Sequence, residues 1–247
     1  MLTGIVLTKN EEKNIARCLN GLKFCDHIVV VDDGSTDDTV SIAIGLGAQV
    51  LEHSLQGDYA AQRNWALNKV KSQWVLFVDA DETVSPALAQ EITQAVAKVE
   101  YKGYLLRRAD FMWDRQLKHG DVGGVNLLRL ARRGAGQWVG RVHETWQIEG
   151  RIGQLNNPLQ HYPHPDMAAF LSQLNRYSTI RAQELFDSGA RSNLLQIVFY
   201  PVFKFLRLWI WKLGFADGTS GFIHAMTMAF YTFLVRGKLW LLYKGIK

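Results

Sequence analysis

Three short polar clusters stand out by residue type and spacing: Thr8-Lys9-Asn10-Glu11-Glu12, Asp32-Asp33-Gly34-Ser35-Thr36-Asp37 and Asp79-Ala80-Asp81-Glu82. The third points most directly to chemistry. Two carboxylates one residue apart, with Glu82 beside them, repel one another unless a cation or a set of donors neutralises them. Carboxylate oxygens suit Mg2+ or Mn2+, which keep several waters and bind through one or two carboxylates together with phosphate oxygens. The first two clusters have a second reading, because Thr8-x-x-Glu11 is also a capping box and Ser35 can cap a following helix. No P-loop is present, and the nearest match to a dinucleotide turn, Gly45-x-Gly47, lacks the third glycine and does not follow the first strand. Phosphate bound here is therefore held by metal and cationic side chains, not by a glycine cradle.

The elements that must position these clusters alternate. Apolar runs at Leu2–Leu7, Ile28–Val31, Gln49–Leu51 and Trp74–Val78 read as strands, with helical spacing over 10–22, 36–45 and 58–70 between them. Asp58 is placed to cap the third helix, and Ser85-Pro86 opens a fourth with cap and first-turn proline in their preferred positions. Strands alternating with helices imply an α/β domain whose mostly parallel sheet is covered on both faces. Each polar cluster then leaves the carboxyl end of a parallel strand, where open α/β sheets bind ligands, so all three converge on one site.

Beyond residue 102 the rhythm changes. Two further strands, Tyr104–Arg107 and Leu127–Ala131, are expected, then a loop region from Gly134 to Pro165. Asp166 caps a helix reaching Phe186, followed by helical stretches interrupted at Pro201 and around Asp217–Gly221. The division expected is residues 1–165 as the α/β domain (1–100 binding a nucleotide, 101–165 an acceptor) and 166–247 as a helical appendage. The chain of 247 residues carries a net charge of +5, yet its last 54 residues hold seven Lys/Arg against one acid and 13 of the 28 aromatics. Cations mixed with Phe, Tyr and Trp suit an anionic lipid surface better than nucleic acid, although packing on the main domain is the plainer use of such helices. The 18-residue uncharged run at 218–235 sits at the lower limit of a membrane span and is too polar to be assigned as one from the sequence. Cys18 and Cys25 are too few for a disulfide framework, and no charged segment followed by an apolar one opens the chain; a reducing, cytoplasmic setting is expected.

The clusters, together with Gln62-Arg63-Asn64-Trp65-Ala66, make residues 1–100 resemble family 2 glycosyltransferases of the GT-A fold. Val142-His143-Glu144, His161-Tyr162 and Asp217-Gly218-x-x-Gly221 resemble a narrower subgroup, which includes lipopolysaccharide core β-1,4-glucosyltransferases acting on heptose. The resemblance implies an inverting transfer from a UDP-sugar to a lipid-anchored glycan, with Mg2+ or Mn2+, at the cytoplasmic face of the inner membrane. By motif position it implies donor binding by Thr8, Asn10, Glu11, Asp32, Asp33, Arg63 and Asp79, with the metal on Asp81. Many members carry their base in a Glu-Asp pair, and here His143-Glu144 occupies that stretch, so Glu144 is assigned as base. The plainer use of Glu144 is as a salt-bridge partner of Arg141 or Arg133. His161 reads as a further metal ligand or as a satisfied histidine at a strand end. Trp113, Trp138 and Trp146 can stack on a sugar or pack in the core. Two competing functions remain: transfer to a polyprenyl phosphate, and a catalytically idle sugar-nucleotide-binding protein.

Overall fold

The computed structural model describes residues 1–113, 115–122, 124–140, 144–163 and 166–246. Two compact units are present, one of residues 1–108 with 124–161 and the other of 109–123 with 162–247.

In the first unit, β1 (Leu2–Thr8), α1 (Ile15–Gly21), β2 (His27–Asp32), α2 (Thr39–Gly45), β3 (Gln49–Glu52), α3 (Tyr59–Lys69) and β4 (Trp74–Asp79) follow the expected alternation. After β5 (Glu82–Thr83) and α4 (Pro86–Val96), the chain enters β6 (Gly103–Met112). A second strand, β7 (Arg115–Leu117), folds back on the end of β6, and β8 (Asn126–Arg132) returns to the main sheet. The order is β3-β2-β1-β4-β8-β6, with the first four strands parallel and β8 antiparallel to both neighbours.

Alternate side chains of the parallel strands point to opposite faces. Leu2, Val6, Val30, Leu76 and Val78 pack with Ile15, Leu19, Leu88 and Ile92 of α1 and α4. Ile5, Val29, Val75 and Phe77 pack with Ala60, Ala66 and Leu67 of α3. Asp58 and Ser85 cap α3 and α4 by accepting from Ala61 and Leu88 N–H groups.

The stretch expected as loop contains β9 (Gly136–Val139), β10 (Thr145–Ile148), β11 (Ile152–Gln154) and β12 (Leu159–His161). These strands are three or four residues long and set among glycines, too short for alternation to declare itself, and tertiary pairing makes them. β9 and β10 form an antiparallel hairpin that sets Trp138 opposite Trp146, and both indoles close the second core.

The second unit holds the β6–β7 turn and the helices α5 (Met167–Asp187), α6 (Leu194–Leu206) and α7 (Gly218–Tyr243). Proline does not interrupt α6: Pro201 lies inside it, and packing against α7 sustains the helix despite the missing N–H. The break comes later, as a π turn at Arg207–Trp211 and a 3-10 turn at Gly214–Asp217, with Leu213 in the left-handed region at φ 56°. Gly221 is required where α7 begins, since a Cβ there would meet the Gly214 carbonyl oxygen at 2.1 Å.

Candidate active site

Because β1, β2 and β4 run parallel, the three polar clusters leave the sheet at one edge. The first two are knitted to each other. Asn10, in the left-handed region at φ 55°, donates its N–H to Ser35 Oγ at 2.8 Å and accepts from the Thr36 N–H at 2.8 Å. Asp32 is buried and accepts from the Ser35 N–H at 2.8 Å. Asp33 pairs with Lys9 Nζ at 2.9 Å and accepts from the Leu55 N–H at 2.7 Å, tying in the loop after β3. Neither cap forms. Thr8 Oγ1 is buried without a partner among the described residues, Glu11 accepts from Asn14 Nδ2, and Ser35 is spent on Asp32 and Asn10.

The third cluster is the end of a buried ionic chain. Arg63 of α3, 2% exposed, donates Nε to Glu144 Oε1 at 2.9 Å and Nη2 to Asp79 Oδ1 at 2.8 Å. Arg129 of β8 donates to both oxygens of Asp79 and lies 3.7 Å from Glu82 Oε1. Burial acts to raise the Asp79 carboxyl, and the guanidinium groups of Arg129 and Arg63 overcome it, holding Asp79 well below the usual carboxylate range. Glu82, fully buried, is pushed the other way, by burial and by the like charges of Asp79 and Asp81 against the pull of Arg129. Aromatic faces support the cation: the Arg63 guanidinium carbon sits 4.7 Å from the Trp138 ring centroid and 5.3 Å from that of Phe77. Thr8 Oγ1, Arg63 Nη1 and Arg129 Nε are buried and have no partner among the described residues, so this edge holds polar atoms that a ligand can satisfy.

Asp81 faces His161 of β12, Oδ2 to Nε2 at 3.3 Å, through the antiparallel pairing of β12 with β5. No group of three or more His, Cys, Asp or Glu suited to a metal occurs among the described residues. One carboxylate and one imidazole nevertheless fit a divalent cation that takes its remaining ligands from phosphate oxygens and water.

The family model for glycosyl transferase family 2 matches residues 3–175, and with them all three clusters and Glu144. The chain belongs to glycosyl transferase family 2. It is 32% identical to the lipopolysaccharide core biosynthesis glycosyltransferase LpsC of Rhizobium meliloti, over 97% of this chain and 92% of that protein. An uncharacterized glycosyltransferase of Rickettsia typhi is 29% identical over 96% of this chain and 86% of its own length. Among solved structures, S. aureus TarS 1–349 in complex with UDP superposes with a TM-score of 0.50 at 16% identity, covering 99% of this chain and 91% of that one. Glucosyl-3-phosphoglycerate synthase from Mycobacterium tuberculosis, in complex with Mn2+, UDP and phosphoglyceric acid, gives 0.50 at 16% identity over 78% and 80%. These likenesses bear out the GT-A fold.

Within this family 2 member, Arg63 joins Asp79 and Glu144. Glu144 pairs with Arg63 and, among the described residues, not with Arg133; Arg141, the other partner expected for it, lies outside the described residues with Val142, His143, His164 and Pro165. Trp138 and Trp146 are core residues, 4% exposed each, with rings stacked at 5.2 Å and edges against Phe77. Trp113 packs with Met112, Leu117 and Val122 in the second unit. Asp217 stands at the start of α7 without capping it; its carboxylate accepts from the Lys118 and His119 N–H groups and from His119 Nδ1. Arg129 escaped the sequence reading. Its signal was a lone cation inside the apolar run Leu127-Leu128-Arg129-Leu130-Ala131, which only a buried anion makes tolerable.

Proposed function

We propose that this family 2 enzyme moves a hexose, glucose first among the candidates, from a UDP-sugar to a hydroxyl of a lipid-anchored glycan, with inversion at the anomeric carbon. The observation that carries this reading is the Arg63 fork, which holds Glu144 and Asp79 together at the strand edge next to Asp81. The likeness to a lipopolysaccharide core enzyme supports an inner-core heptose as acceptor, and the neighbours solved with UDP support the donor. Thr8, Asn10, Glu11, Asp32 and Asp33 then form the nucleotide side of the site, and Asp79 its floor. The setting is the cytoplasmic face of the inner membrane, in peripheral contact with lipid.

Glu144 Oε1 is taken by Arg63, which orients the carboxylate and, among the described residues, leaves Oε2 for the acceptor. Oε2 takes the hydroxyl proton as that oxygen bonds to the anomeric carbon, on the face opposite the nucleotide. The bond from that carbon to the β-phosphate oxygen breaks, and its electron pair leaves with UDP. Asp81 and His161 are the residues that would hold Mg2+ or Mn2+, whose positive charge favours the departing diphosphate.

A donor-panel assay of UDP release with heptose-containing core lipid tests the reading. Asp81→Ala is expected to lower turnover by at least ~10²-fold in metal-containing buffer. Glu144→Gln should lose ~10²-fold or more with a hydroxyl acceptor. Full activity of that variant points instead to a phosphate acceptor, which needs no base, and no UDP release from any donor points to an idle binding protein.

A further inference from the structure

The second unit contains a helix turned inside out. Around α6 and its π turn, Leu195, Val198, Phe199, Val202, Leu206 and Ile210 share one arc and are all exposed, Leu195 at 65% and Phe199 at 60%. The opposite arc faces the unit, and Lys204 points from it to Asp121, which Lys212 also holds. A helix packed on a protein in water has the reverse polarity. The apolar surface continues on α7, where Phe222, Met226, Phe230 and Phe233 form an exposed stripe at helical spacing. Phe222 joins the two, with its ring 5.6 Å from Phe205 and 5.3 Å from Trp209.

Charge on this unit is arranged to match. From Ser188 to Ile246 the single acid is Asp217, which is buried, so no carboxylate from that stretch opposes an anionic surface. The cations are mostly engaged: Lys204 and Lys212 on Asp121, Lys238 on Asn175 and Ser178, Arg236 4.6 Å over the Tyr200 ring. Arg207 is exposed among the apolar side chains.

We propose that α6, its π turn and the α7 stripe form a membrane-insertion surface that seats in the plane of a lipid bilayer, at the boundary between headgroups and acyl chains. The binding comes from burial of apolar side chains, with cations such as Arg207 at the headgroups adding less. This deepens the peripheral contact proposed above and rests on it for the identity of the surface. The segment Leu194–Trp211 has a mean hydropathy of 1.4 and is long enough to approach a span. It lies in plane because Lys204 ties one of its faces to Asp121 of the folded unit, so lipid cannot surround it.

The test uses the full chain, freed of detergent, floated with vesicles of phosphatidylcholine alone or with about a third phosphatidylglycerol. Flotation with the neutral vesicles is expected, and it should persist in about 1 M salt, where the screening length is only ~3 Å. The double variant Leu195→Asp, Phe199→Asp should lose at least roughly tenfold in bound fraction, whereas Arg207→Glu should change it less than about threefold. Binding confined to anionic vesicles and abolished by salt overturns insertion. So does a lipid-free dimer that never floats, or labelling of the α6 segment from both sides of sealed vesicles. UDP release with detergent-dispersed acceptor separates the two readings. Turnover without flotation overturns this inference alone, and flotation without turnover supports it while counting against the proposed reaction.

Discussion

At the scale of single residues, the site is organised by two buried arginines. Arg63 and Arg129 share Asp79 between them, and each reaches one further carboxylate, Glu144 and Glu82 respectively. Removing Arg129 leaves Asp79 on Arg63 alone and strips the fully buried Glu82 of its neighbouring cation, and a buried charge left without its partner costs more than the pair contributes net. Arg129→Met is therefore expected to lower unfolding free energy by about 3–5 kcal/mol, read from urea denaturation. The same variant with Asp79→Asn added should recover part of that loss, because the two sites are directly bonded and their effects are not additive. Simple addition of the two single-variant losses would show that the network is not a unit.

At the scale of elements, the β9–β10 hairpin is what closes the second core over Phe77 and places Trp138 against Arg63. Its strands pass so closely that a Cβ on Gly136 would lie 1.8 Å from the Gln147 carbonyl oxygen. Backbone has to move to admit it. Gly136→Ala should cost about 1–3 kcal/mol by thermal or urea unfolding, and the shift of Trp138 should be visible in tryptophan fluorescence. An unchanged unfolding midpoint would mean that the hairpin adjusts freely and does not set the position of Arg63.

Over the whole molecule, Asp33, Asp37, Glu91 and Asp121 share one electrostatic character. Burial acts to raise each carboxyl; hydrogen bonds from backbone and side chains outweigh it at Asp33, Asp37 and Glu91, and those from Lys204 and Lys212 do so at Asp121, so all four sit below their ordinary values. The charge of Lys9 adds to the effect at Asp33, and the charges of Lys204 and Lys212 add to their own hydrogen bonds at Asp121. A group with a lowered native value contributes stability that is fully present above its unfolded value, near 4, and is lost as pH falls through the native value. The protein should accordingly unfold more readily below about pH 4. Asp121→Asn should be less stable than wild type at neutral pH and should lose less on acidification, as measured by urea midpoints at neutral pH and near pH 3. Parallel loss in both proteins would show that Asp121 contributes nothing to the acid response.

The amino-acid order by itself determined the alternation of strands and helices over the first hundred residues. It also determined the meeting of three polar clusters, since parallel strands deliver their carboxyl ends to one edge whatever surrounds them. Asp81 could be singled out from local type and spacing, whereas Glu144 was reached only through the resemblance of its stretch to the family's. Only the tertiary structure decided that Glu144 pairs with Arg63, 81 positions away, and that β8 lies beside β4 to bring Arg129 onto Asp79. The short strands after Gly134 and the outward apolar arc of α6 were likewise beyond local reading. A residue's periodicity records which face it occupies on its own element; which neighbour covers that face, or whether any does, depends on long-range packing that no window of sequence contains.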